Sequence, residues 1–143
     1  MVLAIIAILA AVLVPTLSQY LPSVQLSGST RTLTGDLREA QEKAITEQDQ
    51  YLIYFVQLKN PPIYHMIKIK KDPVTQLPVR EQIREETLPG SIELTLEPTP
   101  ADDQIAFSSD GGPSAPLKVT LTLKGNGSQK KIDISPAGFI KIE

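Results

Sequence analysis

With 143 residues the chain has the length of one domain and room for one core. Its 14 Lys and Arg stand against 16 Asp and Glu, so a net charge of -2 offers no basic excess to hold a polyanion, and nucleic acid is disfavoured as a main partner. The absence of cysteine excludes disulfides, thiolate catalysis and Cys-based zinc sites.

The chain opens on a run, Met1 to Val14, with no charged and no hydrogen-bonding side chain; Pro15 closes it. A segment without a polar face needs lipid, protein or copies of itself around it. A bilayer-spanning helix takes about 20 apolar residues, more than this run supplies, which leaves a short anchor, a piece of a longer hydrophobic helix, or a secretory leader. The leader is disfavoured, because such segments begin with positive charge and the first basic residue is Arg31. Ala4, Ala7, Ala10 and Ala11 recur at spacings that let helices approach closely, so packing against other helices is expected.

From Thr16 to about Gln50 the pattern becomes amphipathic. Leu33, Leu37, Ala40, Ala44 and Ile45 fall on one stripe, expected to pack on a sheet, while Arg31, Asp36, Arg38, Glu39, Glu42 and Lys43 face elsewhere as a solvated surface. Pro22 and Gly28 lie between the two helical signals; a continuous helix with a kink or a loosened section over 21–28 is favoured. The organisation expected is a hydrophobic helix over 1–25 and a head over 26–143, with an amphipathic helix over 29–49 and β structure from 50 onward.

After Asp49 the period switches to two. Strands are read over 51–58, 63–70, 77–88, 91–97, 105–107, 117–124, 131–135 and 139–142, with Pro78 marking an edge or a start. Proline and glycine clusters separate them, among them Asn60-Pro61-Pro62, Pro89-Gly90 and Gly125-Asn126-Gly127. One helix followed by roughly seven short strands is the order of an α+β body in which an antiparallel sheet packs on the helix stripe.

The string from Val2 to Pro15 resembles the N-terminal segment of type IV pilins and of the pseudopilins of type II secretion systems. That resemblance makes Met1, Val2, Leu3, Ala4, Ile5, Ile6, Ala7, Ile8, Leu9, Ala10, Ala11, Val12, Leu13, Val14 and Pro15 the helix that sits in membrane before assembly and in a filament core afterwards. The family's mature chain begins with a methylated Phe and Thr-Leu-Ile-Glu-Leu, cut from a basic leader by a membrane peptidase. Those residues do not occur here, and alignment on Pro15 sets Met1 about seven residues inside the family's start, short of spanning length.

A narrower resemblance follows from Leu37-Arg-Glu-Ala-Gln-Glu-Lys-Ala-Ile-Thr46, with Ile105 to Gly111, Leu117 to Leu123 and Ile132 to Gly138: these are similar to the H-type minor pseudopilins and their type IV pilus counterparts. In DNA-binding members of the pilus branch, basic residues follow the glycine matching Gly138. Here Phe139 and Ile140 follow, with only Lys141 positive, so DNA capture through this tail is not expected.

Catalysis finds little to work with. His65, the single histidine, lies in a strand pattern and reads as an ordinary strand position. Ser108-Ser-Asp-Gly-Gly112 lacks the strand-to-helix setting of a nucleophile elbow and reads as a turn. No Gly-rich loop opens a helix to cradle phosphate. Asp102, Asp103 and Asp110 match no calcium-loop spacing and read as solvated. Asn126-Gly127-Ser128 fits a glycosylation acceptor but reads more simply as a hairpin turn. No catalytic residue, cofactor or metal is expected.

The function expected is that of a structural pilin or pseudopilin subunit, polymerising through its N-terminal helix. The resemblance implies copies of itself or other pilins and pseudopilins as partners, with membrane lipid before assembly, an inner-membrane assembly platform and a cytoplasmic ATPase. It places the chain in the bacterial inner membrane first and in a periplasmic or extracellular filament afterwards. The alternative is a minor tip subunit or a membrane-tethered binding module for adhesion or DNA uptake.

Overall fold

A computed structural model describes the backbone of residues 2–143 and their side chains apart from residues 2, 14–17 and 19. Met1 and the side chains of Val2, Val14 and Pro15, all assigned above to the filament-core helix, lie outside the described residues. The architecture is α+β. Helix α1 (Val2–Glu47) is 46 residues long, which at 1.5 Å per residue is roughly 70 Å. It is helical throughout 21–28, so the loosened section expected there is not present; the neighbouring residues keep the helix going through the single hydrogen bond that Pro22 cannot donate.

Burial in α1 begins at Leu26. Leu26, Thr30, Leu33, Leu37, Ala40 and Ala44, at alternating steps of four and three, form the buried stripe, with the last four 0% exposed. The threonines are tolerated because their hydroxyls bond within the helix: Thr30 Oγ1 donates to Leu26 O and Thr34 Oγ1 to Thr30 O, each at 2.7 Å. The helix ends at Gln48, whose φ of 57° is left-handed and whose Nε2 donates to Ile45 O at 2.6 Å. Ile45 itself, expected on the packed stripe, is 46% exposed. It sits one residue past Ala44, which rotates it away from the core.

Eight strands follow: β1 (Gln50–Val56), β2 (Ile63–Lys71), β3 (Pro78–Thr87), β4 (Ile92–Glu97), β5 (Gln104–Phe107), β6 (Leu117–Leu123), β7 (Gln129–Ile134) and β8 (Ile140–Ile142). They form two four-stranded antiparallel sheets where one was expected. Sheet A has the order β3-β2-β1-β5 and sheet B the order β4-β6-β7-β8. The chain passes from A to B after β3, back to A for β5, and again to B for β6. Each crossing runs through proline: Pro89 in the first, Pro98 and Pro100 in the second, Pro113 and Pro116 in the third. A residue without an N–H cannot prolong a ladder, so each strand stops and its successor is free to join another sheet.

The helix stripe packs on β1 and β5 of sheet A and on β6, β7 and β8 of sheet B. One core results, a single buried cluster that includes Leu33 and Leu37, Tyr51, Phe55, Tyr64 and Phe107 from sheet A and Ile92, Val119, Leu121 and Ile132 from sheet B. Strand β4 shows the simplest logic, with Ile92, Leu94 and Leu96 buried and Glu93, Thr95 and Glu97 exposed. Strand β3 is the outer edge of sheet A, begins at Pro78, and is exposed along nearly its whole length.

Candidate assembly surface

The first part of α1 projects from the head. Every side chain from Leu3 to Leu13 is exposed, Leu3 to 82% and Ile8 to 66%, and no charged side chain precedes Arg31. The exposed set includes Ala4, Ala7, Ala10 and Ala11. Farther along the helix Tyr20, Leu21 and Val24 are exposed as well. A continuous apolar surface of this kind marks a place where something else binds. Among the described residues, no helix is long and apolar enough to cross a membrane.

The packed half of α1 is gripped along both shoulders of its stripe. On one shoulder lie Asp36, Glu39, Lys43 and Glu47, at i, i+3, i+7 and i+11. Asp36, expected on a solvated face, is instead 6% exposed. Its burial is made tolerable by partners from the β2–β3 hairpin: Tyr64 Oη donates to Oδ2 at 2.6 Å and Arg84 Nη1 to Oδ1 at 2.8 Å. Arg84 also donates to both carboxylate oxygens of Glu39, at 3.1 and 3.4 Å, and Lys43 closes on Glu39 at 2.9 Å.

The charges respond accordingly. Hydrogen bonding from Lys43, helped by Arg84, holds the Glu39 carboxyl below its usual range. Burial, followed by the bond to Asp36, pushes the Tyr64 phenol far up. At the helix end Lys68 pairs with Glu47 and, at 2.8 Å, with Asp49, and Tyr51 Oη donates to Glu47 at 2.7 Å. The bonds to Asp49 and Glu47 raise the Lys68 ammonium, and Lys68 with Tyr51 lowers Glu47.

On the other shoulder a single amide holds two loops. Gln41 Nε2 donates to Gly111 O at 2.8 Å and to Gly138 O at 2.9 Å. Both glycines have left-handed φ, 82° and 86°. A Cβ on Gly138 would stand 2.7 Å from Gln41 Nε2 and 3.0 Å from Gly111 O, and one on Gly111 would stand 2.7 Å from Ile45 Cδ1. Only glycine admits both the conformation and the approach. Arg38 completes the shoulder by donating to Ile140 O at 3.1 Å. Sequence reasoning missed Gln41, Tyr64 and Arg84; the one available signal was the pair of glycines at loop ends.

The side chains considered for chemistry stand apart. His65 stacks on Tyr54 with centroids 6.3 Å apart, and its Nδ1 lies 3.4 Å from Glu85 Oε2 without a hydrogen bond. Ser108 Oγ donates to Asp110, whose Oδ1 also accepts from Gly112 N at 3.2 Å, which closes a local turn. Asp103 accepts from Gln57 Nε2 at 2.7 Å. Among the described residues, no three His, Cys, Asp or Glu side chains gather as metal ligands. Asn126 Oδ1 accepts from Ser128 N at 3.0 Å between Gly125 and Gly127, both of positive φ, as a hairpin turn requires.

The head, with its helix stripe and two sheets, can be set against known proteins. The model of one family, described as type II transport protein GspH, matches residues 29–138, from within the packed half of α1 to the glycine held by Gln41. The chain belongs to this family. Solved structures of a minor pseudopilin and of a minor pilin share the fold. The minor pseudopilin EpsH from the type 2 secretion system of Vibrio cholerae superposes with a TM-score of 0.67 at 14% identity, over 83% of this chain and 96% of that one. The type IV minor pilin FimU of Pseudomonas aeruginosa superposes with a TM-score of 0.66 at 13% identity, over 85% of this chain and 90% of that one. No curated protein sequence matches the chain.

Proposed function

We propose that this GspH-family chain is a structural subunit of a filament of the type II secretion or type IV pilus kind, built into it through the exposed part of α1. The observation that carries this reading is the run of uncovered apolar side chains from Leu3 to Leu13, on a helix whose other half is locked into the head. Covering a Leu or Ile side chain is worth roughly 1.5–3 kcal/mol, so neighbouring helices would hold the subunit firmly. Before assembly the same surface rests in the lipid of the inner membrane; in the filament, helices of other subunits replace lipid. The alanines of the run set how near those helices come. The head, whose chemistry is confined to ion pairs and turns, stays in the aqueous exterior and has a positional role. An inner-membrane platform and an ATPase supply the force for extraction.

The test is filament incorporation. Cells carrying a tagged chain are sheared and the filaments sedimented. The tag is expected in the filament fraction, and Ala7→Leu and Ala10→Leu should deplete it about tenfold, since a bulky side chain at a close helix contact costs on the order of 1–3 kcal/mol. If both variants incorporate as the parent does, the helix does not pack in this way and the chain is tethered by it only.

A further inference from the structure

The neck where α1 leaves the head is a meeting point of loops. Ser91 Oγ, in the β3–β4 linker, donates to Gln25 Oε1 at 3.1 Å, and the backbone N of Lys124, in the β6–β7 turn, donates to Ser91 O at 2.8 Å. Lys124 Nζ donates to Gly90 O at 3.2 Å and to Asn60 Oδ1 at 3.3 Å, which draws in the β1–β2 loop. Three connections of the head are thereby tied to the turn of α1 that precedes its buried stripe.

Between α1 and sheet B at this neck lies a cavity of about 180 Å³, lined by Ser27, Thr30, Arg31, Lys130 and Ile142. One water needs roughly 10–15 Å³, so the space takes a larger group. Along β7, Ile134 and Ile132 are buried under the helix, and alternation puts Lys130 on the same face. The core-facing row thus ends in a cation. Arg31 stands one turn after Ser27, and a long helical side chain lies over the turn before it, which carries the guanidinium back toward Ser27. Among the described residues neither Arg31 nor Lys130 takes part in an ion pair, and no acidic side chain lines the cavity. Glu143, which follows Ile142, is exposed, and its backbone is paired with that of Lys131. Thr30 donates its hydroxyl proton to Leu26 O, which leaves the Arg31 guanidinium, the Lys130 ammonium and the Ser27 hydroxyl as donors around one space. Such a set suits the oxygens of a phosphate.

The helix decides which phosphate can reach it. Val24 is the last exposed apolar side chain before the packed stripe, and Tyr20, of the kind that settles at a membrane boundary, is 70% exposed. Ser27 lies three residues beyond Val24, about 4.5 Å along the axis. The headgroup layer on each side of the hydrocarbon is about 5–8 Å thick, so with the apolar surface of α1 in lipid the cavity stands at the level of the headgroups. Leu58, exposed over its whole surface, and Lys59 belong to the β1–β2 loop at the same neck and set an apolar tip beside another cation. We infer that the cavity holds the phosphate of an anionic phospholipid, with Arg31 and Lys130 on its oxygens and the Ser27 hydroxyl as a third donor. This rests on the placement of α1 in lipid proposed above, and it names the lipid class and the residues that take it. Basic side chains at a bilayer surface draw anionic lipid to them. The contact seats the head on the bilayer, and it is given up when the subunit is drawn out and helices replace lipid.

The test uses the full-length chain in phosphatidylcholine vesicles containing phosphatidylglycerol, a small part of which carries a photoreactive diazirine in its headgroup. After illumination, adducts are expected in the peptides that hold Ser27 to Arg31 and Lys130. Arg31→Gln and Lys130→Gln should each lower the yield there about fivefold, the effect of one basic residue near an anionic surface. Lys118→Gln, at the far end of sheet B, should leave it unchanged. Excess phosphatidylglycerol should compete the adducts away, and phosphatidylcholine should not. Adducts that persist in both variants overturn the inference, as does equal competition by phosphatidylcholine. Competition by inorganic phosphate at the same concentration also overturns it, since the site then takes a free anion. Arg31 is exposed and Lys130 half-buried, and an unchanged melting temperature separates a lost site from a lost fold. Flotation of the unmodified chain distinguishes the two levels: if it floats with the vesicles but these adducts are missing, the lipid site falls and the membrane reading stands, and if it does not float, the membrane reading falls and takes the site with it.

Discussion

Helix α1 is one element with two surfaces. From Leu3 to Leu13, and again at Leu21 and Val24, it leaves Leu, Ile, Val and Ala side chains in the open; from Leu26 on it hides apolar side chains beneath two sheets. The difference lies in arrangement more than in composition. In the first part apolar residues go all the way round, so no face is distinguished and no sheet of the same chain could cover them. In the second part they keep to a stripe at steps of four and three, flanked by Asp36, Glu39 and Lys43 on one side and Gln41 and Arg38 on the other. Polar shoulders tell the helix which way to face. They also fasten it, since each is hydrogen-bonded to a different region of the head.

Substitutions on the two halves should separate these roles. Leu37→Ala, at a site 0% exposed, is expected to destabilise the head by about 2–5 kcal/mol in urea unfolding of the full chain in detergent, whereas Ile8→Ala should change it by less than about 0.5 kcal/mol. A comparable loss from Ile8→Ala would mean that the projecting half folds back onto the head. Gly138→Ala should cost about 2–3 kcal/mol, because a left-handed residue acquires a Cβ against Gln41 and a backbone carbonyl that cannot withdraw. Pairing it with Gln41→Ala relieves only the side-chain clash, so partial recovery would sharpen the role of the amide. Asp36→Asn keeps an acceptor for Tyr64 and removes the charge facing Arg84; with Arg84 partly in solvent, about 1–2 kcal/mol is expected by thermal unfolding.

Acid should act on the head and spare the projecting half of α1. Glu39, Glu47, Asp72 and Asp110 all have carboxyls below their usual range, Asp72 through bonds from the backbone N–H groups of Thr75 and Val74. A depressed folded value stabilises above the unfolded carboxylate range of about 4 and is lost as pH falls through the folded value. Melting temperature should therefore be flat from neutral pH down to about 5 and fall below about 4. A flat profile to lower pH would mean that these ion pairs and hydrogen bonds add nothing. One substitution should bring a gain: Gln48→Gly is expected to stabilise by about 0.5–1 kcal/mol, since glycine takes the left-handed φ that ends the helix without strain.

Much of this was legible in the sequence because periodicity reports on burial. The exposed run, the stripe at Leu33, Leu37, Ala40 and Ala44, and the alternation in β4 and β6 all follow from residue spacing. The division into two sheets was not legible, because alternation says that a strand has two faces and nothing of which strand lies beside it. The burial of Asp36 was hidden for a related reason: its partners Tyr64 and Arg84 are 28 and 48 residues away, and no local pattern announces them. Leu26 and Thr30 extend the stripe toward the projecting half, but Ser27, Gly28 and Ser29 between them mask the spacing.

The amide of Gln41 has one last consequence. Its partners lie 70 and 97 residues downstream. A polypeptide emerging from the ribosome carries that nitrogen from early on and can satisfy it fully only once Gly138 has followed. Any product that stops short of Gly138 keeps a half-bonded donor on the shoulder of its helix. A head cut before that residue thus lacks the loop that closes this shoulder.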